Sequence, residues 1–362
     1  MKVLDLSRLL PGPLCSWLLR GMGAAVTKIE DPASGGDYLR GLPPHGPDGV
    51  GAWFTAINAG CRSVALDLRQ PRGREVLDAL CAESDVLIES FRPGVLARSG
   101  VDPAALRVRH PRLVIASLSG FGQDGPLRAL PGHDLGYVGL AGVLSLGMRV
   151  DGAPAVPAVQ VADVAAGALT AAWRITAALL ARASSGEGDW LDISLTDGVL
   201  PFLVPAAATE ALAGGARRGG SGVLEGGLPT YRCYRCADGR FVAVAALERR
   251  FAEALAAAAP GGDLSADALA RWFSTAPRDH WAAALGHACV TPVLDPAEVL
   301  AHPLFRARGR VVGEGTAARI TPPVPGPHPF VQAPAPALGA HTAEALSSLG
   351  FPADHLETHD PA

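Results

Sequence analysis

Val3-Leu4-Asp5-Leu6, then Pro11-Gly12-Pro13, then Gly23-Ala24-Ala25-Val26-Thr27-Lys28-Ile29-Glu30 open the chain, and their order decides the fold. The first is a short apolar run suited to a buried strand. Pro-Gly-Pro leads into an apolar helix through Cys15–Leu19, and the third segment is a turn followed by a second strand. Strand, helix and strand in that order make a βαβ start, which favours a parallel sheet. Further on, Leu77–Cys81 reads as helix, while Val86-Leu87-Ile88-Glu89 and Leu113-Val114-Ile115-Ala116-Ser117 read as strands. Short strands alternating with helices predict a Rossmann-like α/β first half.

Ala166–Ala183 is rich in helix formers and stops at Ser184-Ser185-Gly186-Glu187-Gly188; Leu191-Asp192-Ile193-Ser194-Leu195 is strand-like. The glycine-rich stretch Gly214–Gly227, with Arg217-Arg218 inside it, reads as a connection. Tyr231-Arg232-Cys233-Tyr234, the turn Ala237-Asp238-Gly239 and Phe241-Val242-Ala243-Val244 predict a hairpin. Helices follow at Arg250–Ala258 and Ala266–Ser274. Thr321–Pro336 is a proline-rich extended connector, and Ala343–Leu349 is a last helix. The expected organisation is a large Rossmann-like domain over 1–195, a linker over 196–227, a smaller α+β domain over 228–320, and a linker and C-terminal segment over 321–362 that returns to the large domain.

A chain of 362 residues, 49% of them hydrophobic, can bury a substantial core, and with aromatics at 6% that core must rest on Leu, Val and Ala. The net charge of −4 gives no global attraction to nucleic acid or an anionic membrane, so an anionic ligand must be met by local basic groups. Met1-Lys2-Val3-Leu4-Asp5 carries an acid where a secretory apolar region would run. The apolar stretch near Val156–Ala183 is broken by Asp163 and Arg174, which predicts a buried helix rather than a membrane span. Six cysteines are scattered, and the lone pair Cys233/Cys236 has no second CxxC or His pair at zinc spacing. The expectation is a reduced, cytoplasmic protein without a metal.

Two ionisable residues stand in small, apolar company where an unpaired charge would be costly. His133 lies in Pro131-Gly132-His133-Asp134-Leu135-Gly136-Tyr137, and Asp163 in Val161-Ala162-Asp163-Val164-Ala165-Ala166-Gly167. An imidazole and a carboxylate facing one substrate carbon could remove a proton from one side and return it on the other. Gly120-Phe121-Gly122-Gln123-Asp124-Gly125 matches GxGxxG after a strand, but Pro126 and Pro131 oppose the helix a dinucleotide site needs. Its glycines read instead as a loop beside a bound ligand. Walker A, HExxH and GxSxG motifs are absent from the sequence.

Several segments together resemble the class III coenzyme A-transferase superfamily, also called the carnitine dehydratase and bile-acid-inducible protein F family. They are Gly23–Pro32, Arg62-Ser63-Val64-Ala65-Leu66-Asp67-Leu68, Phe91-Arg92-Pro93-Gly94-Val95, Ser119-Gly120-Phe121-Gly122, Gly188-Asp189-Trp190-Leu191-Asp192-Ile193-Ser194-Leu195 and Ala288-Cys289-Val290-Thr291-Pro292-Val293-Leu294. Gly132-His133-Asp134 resembles the α-methylacyl-CoA racemase branch, which implies His133 and Asp163 as the two acid/base groups. Ala245-Ala246-Leu247-Glu248 resembles the segment holding a Glu paired with that His, which implies Glu248. The resemblance implies coenzyme A contacts from Arg69, Arg92 and Arg98, from Leu66, Asp67 and Leu68, and from Ser90 and Phe91. Gly132, Asp134 and Tyr137 belong to the same expected site, with backbone N–H groups at a helix start near Asp134 meeting an enolate oxygen.

The sequence departs from the family where a basic residue is usual near Ala59 and Cys61, and at Asp31, where such racemases can carry Arg. The family fold is an interlocked homodimer with long linkers, in which Glu248 would act on the partner's site. The implied activity is epimerisation at C2 of a 2-methylacyl-CoA thioester through an enolate, with no cofactor beyond the coenzyme A of the substrate. The alternatives are coenzyme A transfer with Asp163 as nucleophile, and non-catalytic acyl-CoA binding.

Overall fold

The computed structural model describes residues 1–147, 149–150, 153–213, 220, 222–323 and 333–356. These fall into two compact units, one of residues 1–141, 157–201 and 309–362, the other of 142–156 and 202–308. The division is not the linear one the sequence suggests. Residues 142–156 leave the first stretch for the second unit, and 309–320, expected in the small domain, group with the first.

In the first unit the elements run β1 (Lys2–Asp5), α1 (Pro11–Gly21), β2 (Ala25–Glu30), α2 (Ala52–Asn58), β3 (Arg62–Ala65), α3 (Pro71–Ala82), β4 (Val86–Glu89), α4 (Val95–Arg98), α5 (Pro103–Arg109), β5 (Val114–Ser119) and α6 (Asp134–Leu140). A π-helical segment, Val161–Leu169, then continues directly into α7 (Thr170–Ser185), followed by β6 (Trp190–Ser194); α8 (Leu195–Ala213) begins in this unit and its residues from 202 on group with the second. Six strands form one sheet in the order β3-β2-β1-β4-β5-β6, every pairing parallel. This is the doubly wound arrangement expected from the opening βαβ unit.

The strands alternate between two cores. Val3, Val86, Ile88, Val114, Ala116 and Leu118 face a cluster completed by Cys15, Leu18 and Leu19 of α1 and Ala171, Ala172 and Ile175 of α7. Leu4, Leu87 and Ile115 face the other, with Val76 and Leu77 of α3 and Leu106 of α5. Ala345 and Leu346 join that second core from the helix Thr342–Ser348, which therefore lies against the sheet. Each buried Val, Leu or Ile among them contributes about 1.5–3 kcal/mol, and each alanine methyl less than about 1 kcal/mol. Strands buried on both faces read as near-continuous apolar runs. The exceptions are the buried polar groups Asp5, Lys28, Glu30, Ser63, Glu89, Ser117, Ser119 and Ser194, of which Asp5, Glu30, Glu89, Ser119 and Ser194 close their strands.

Helix α8 corrects the expected 196–227 linker. Pro201 and Pro205 look like breakers in the sequence, yet the helix runs through both to Ala213. Of the glycine-rich connection, 214–219 and 221 lie outside the described residues, as do 324–332 of the proline-rich connector. Two helical stretches, Val161–Ser185 and Leu195–Leu212, are long and apolar enough to cross a membrane. The first places Ala168, Ala171, Ala172, Ile175 and Ala178 in the core of the first unit, as a buried helix of a folded domain does.

The second unit carries the expected hairpin, β7 (Tyr231–Arg235) and β8 (Phe241–Ala245), extended by antiparallel β9 (Val290–Pro292). Helices α9 (Arg249–Ala258), α10 (Ala266–Phe273) and α11 (Arg278–Leu285) cover it around Phe273, Trp281 and Leu255. Cys236 is part of this core and Cys233 is exposed; both are free thiols.

Candidate active site

The carboxyl ends of the strands open onto a cavity of about 650 Å³ within the first unit. Its wall takes Leu6 from beyond β1, Asp31 from beyond β2, Leu66 from beyond β3, Ser90 from beyond β4, Ser119 from β5 and Leu195 from beyond β6. A crevice outside the carboxyl ends, where strand order reverses, is where doubly wound sheets bind ligands.

His133 and Asp163 both line it. His133 is the extended N-cap residue of α6, and Asp163 is the third residue of the π-helical segment. The first residue of α6, Asp134, accepts a hydrogen bond at 2.9 Å from the backbone N–H of Asp163. One carboxylate thus ties together the starts of the two helical segments that carry the pair. π-Helical turns recur at functional sites because the extra residue re-aims side chains. Small residues allow this one to pack closely. A Cβ at Gly167 would be in hard contact with Leu195 and would press on the Ala162 carbonyl and Pro11.

Burial pushes the Asp163 carboxyl up to about 6, the charge of Asp134 adds to the shift, and His133 opposes it. A carboxyl group titrating there can both accept and return a proton near neutrality. Tyr137 also lines the cavity. Its ring is wedged between Gly120 and Gly132, where an added Cβ at Gly120 would strike the ring, and Phe121 meets it edge-on with centroids 5.2 Å apart. Burial, then Asp163 and Asp134, push its phenol up to about 12, so it is a neutral donor beside the pair.

Of the expected coenzyme A contacts, Leu66, Asp67, Leu68, Arg69, Ser90, Phe91, Arg92 and Gly132 are on the wall. Arg98 is not. Helix α4 is a single turn that buries Leu96, so Arg98, two residues on, falls on the opposite, exposed side. Asp134 acts as a tether behind the wall. Glu248 lies in the second unit as the exposed N-cap residue of α9. The GxGxxG segment forms a loop with Gly122 and Gly125 at positive φ, and no helix opens at its third glycine.

Arg69 is engaged. Its Nε donates to Asp67 Oδ1 at 2.8 Å and its Nη2 to Asp67 Oδ2 at 3.0 Å, with Asp31 Oδ1 3.7 Å away. The sequence reading passes over Arg8, Leu9, Tyr38 and Arg128, which also line the cavity. Arg8 and Leu9 had a signal: they come within four residues of the end of β1, at the strand end where such sheets bind. Beneath them, Lys28 is fully buried, 2.9 Å from Asp37 Oδ2 and 3.8 Å from Asp5 Oδ2, and its Nζ donates to the Ser7 carbonyl at 2.9 Å.

The family model described as CoA-transferase family III matches residues 1–342. The chain is 35% identical over 381 aligned positions to the alpha-methylacyl-CoA racemase of Homo sapiens, covering 98% of this chain and 94% of that one. It is 37% identical over 202 positions to the succinate–glutarate CoA-transferase of Agrobacterium fabrum, covering 54% of this chain and 50% of that one. Among solved structures, a CAIB/BAIF family protein from Brucella suis superposes with a TM-score of 0.83 at 28% identity, covering 96% of this chain and 98% of that one. This chain belongs to CoA-transferase family III, an enzyme family that includes racemase and transferase members.

Proposed function

We propose that the protein epimerises C2 of a 2-methylacyl-CoA thioester by 1,1-proton transfer. The observation that carries this reading is the convergence of His133 and Asp163 on one cavity wall, tied through Asp134, with the Asp163 carboxyl at about 6. One base takes the α-proton to give an enolate, and the conjugate acid of the other returns a proton to the opposite face. The first N–H groups of α6 are the donors nearest His133 in sequence for the enolate oxygen. Both steps are proton transfers and call for no metal or redox cofactor. Whole-length similarity to a racemase supports the reading.

The transferase reading keeps support from the similarity to a CoA-transferase over half of the chain. In it the Asp163 carboxylate attacks the thioester carbonyl to give an acyl-aspartyl anhydride and coenzyme A thiolate. The thiolate attacks the aspartyl carbonyl, releasing the donor acid as carboxylate and leaving an aspartyl thioester, from which an acceptor carboxylate takes the coenzyme A by the same two steps in reverse. Incubating a 2-methylacyl-CoA in deuterated water without acceptor acid separates the two. Deuterium at C2 supports the racemase; no exchange, with thioester exchange once a free acid is added, supports the transferase.

The same proposal includes a homodimer in which Glu248 of one chain orients His133 of the other. Exposed apolar side chains on α7 and α8, Trp173 at 61%, Leu180 at 76% and Val204 at 62%, support a covering partner. A monomer with full activity would overturn this part.

A further inference from the structure

We infer that Arg8 is the arginine that holds a phosphate of the coenzyme A moiety, a role Arg69 is kept from by its two carboxylates. The assignment rests on the acyl-CoA reading above. Four arginines line the cavity: Arg8, Arg69, Arg92 and Arg128. Arg69 sits against Asp67 and Asp31, so the trio carries a net negative charge and does not attract an anion. Arg92 and Arg128 are exposed, and no ion pair or side-chain hydrogen bond fixes their guanidinium groups among the described residues. Each must lose its rotamer freedom when a ligand arrives.

Arg8 is different. Its guanidinium is half-buried, 5.2 Å from the Tyr38 ring centroid and 5.6 Å from that of Phe91, and it donates to the Tyr38 hydroxyl at 3.1 Å. No carboxylate pairs with it among the described residues. Aromatic contacts occupy the faces of a guanidinium and leave edge N–H donors for a phosphate.

The loop beneath it is over-determined. The N–H of Ser7 donates to Asp5 Oδ1 at 2.8 Å, that of Arg8 to Ser90 Oγ at 3.1 Å, and that of Leu9 to Asp37 Oδ1 at 3.1 Å. Lys28 holds the Ser7 carbonyl from below and neutralises the same aspartates. Leu9 is kept at φ +64°, a left-handed conformation that a leucine adopts only when its surroundings impose it. Strain held by a buried ion cluster beside a cavity is preorganisation, and here it presents Arg8.

The test is equilibrium binding of coenzyme A, dephospho-coenzyme A and a 2-methylacyl-pantetheine thioester, which lacks the diphosphate. Arg8→Ala should weaken coenzyme A about 10- to 100-fold, the worth of a lost charge-assisted contact. The pantetheine thioester should bind unchanged, and Arg69→Ala should change coenzyme A affinity less than about 3-fold. Arg8→Lys, which keeps the charge but not the fork, should fall between Arg8→Ala and the unaltered protein. Equal loss for dephospho-coenzyme A assigns the contact to the diphosphate, and no loss assigns it to the 3′-phosphate. Unchanged coenzyme A binding in Arg8→Ala, or equal weakening of the pantetheine thioester, overturns the assignment alone. Failure of the unaltered protein to bind coenzyme A overturns the proposed function with it.

Discussion

Replacing Asp134 by Asn should move the acid limb of the pH–rate profile to lower pH in the direction where Asp163 is the base. The Asn oxygen can still accept the Asp163 N–H, so the tether at 2.9 Å can survive while the charge goes. That bond keeps the two carboxyl groups within about 6 Å of each other, given ordinary bond lengths. Two unit charges at that separation repel by about 0.7 kcal/mol in bulk water and about 3 kcal/mol at an effective dielectric of 20. The cavity is open to solvent on one side, so an intermediate value of about 1.4 kcal/mol, or about one pH unit, is expected. The sign follows from the charge. Asp134 disfavours the Asp163 carboxylate, so removing it lowers the Asp163 pKa from about 6 and keeps the base ionised further into acid. Burial, the larger cause, remains, so the group should stay above the ordinary carboxylate range. The assay is kcat/KM against pH for each enantiomer of a 2-methylacyl-CoA. An acid limb that stays in place or rises, with the fold intact by thermal melting, would refute the electrostatic coupling.

Other consequences are open to test. Gly120→Ala should drive the Tyr137 ring out of its slot and cut kcat at least about 10-fold, while a conservative change at exposed Arg128 should leave kcat in place. Glu248→Ala alone should be impaired, and co-expressed His133→Ala and Glu248→Ala chains should give a hybrid dimer with about half the activity per dimer, since one cross-subunit site keeps both residues; no recovery would place Glu248 within its own chain's site, and a fully active Glu248→Ala homodimer would place it outside the mechanism. Lys28→Met should lower stability by about 3–5 kcal/mol in denaturant unfolding, because it strands Asp5 and Asp37 without a counter-charge in the core; a neutral effect would refute the buried ion cluster as a support of the loop that carries Arg8.

The sequence reads β4 to the residue and most other first-unit strands within one or two positions, because central parallel strands are apolar runs bounded by turns. Helix α8 is hidden because two prolines imitate a linker. The pair His133 and Asp163 is legible as charge in apolar company, but the bond that joins their helices is not, since Asp134 and the Asp163 N–H meet only through tertiary packing. The π-helical turn leaves no periodic signature of its own. Arginines are the hardest part. Arg98 and Arg8 look equally able to bind phosphate as residue types, and only the burial of Leu96 turns one away while the Tyr38 and Phe91 rings hold the other in the cavity.

The central claim is that His133 and Asp163 serve opposite faces of one carbon, and single-enantiomer exchange in deuterated water tests it most directly. With (2R)- and (2S)-2-methylacyl-CoA supplied separately, the unaltered enzyme should put deuterium into C2 of both and carry each toward a racemate. His133→Ala and Asp163→Ala should both abolish inversion, yet each should keep exchange with one enantiomer only, and the surviving enantiomer should differ between them. Exchange of the same enantiomer in both variants, or inversion surviving either substitution, would contradict a two-base site.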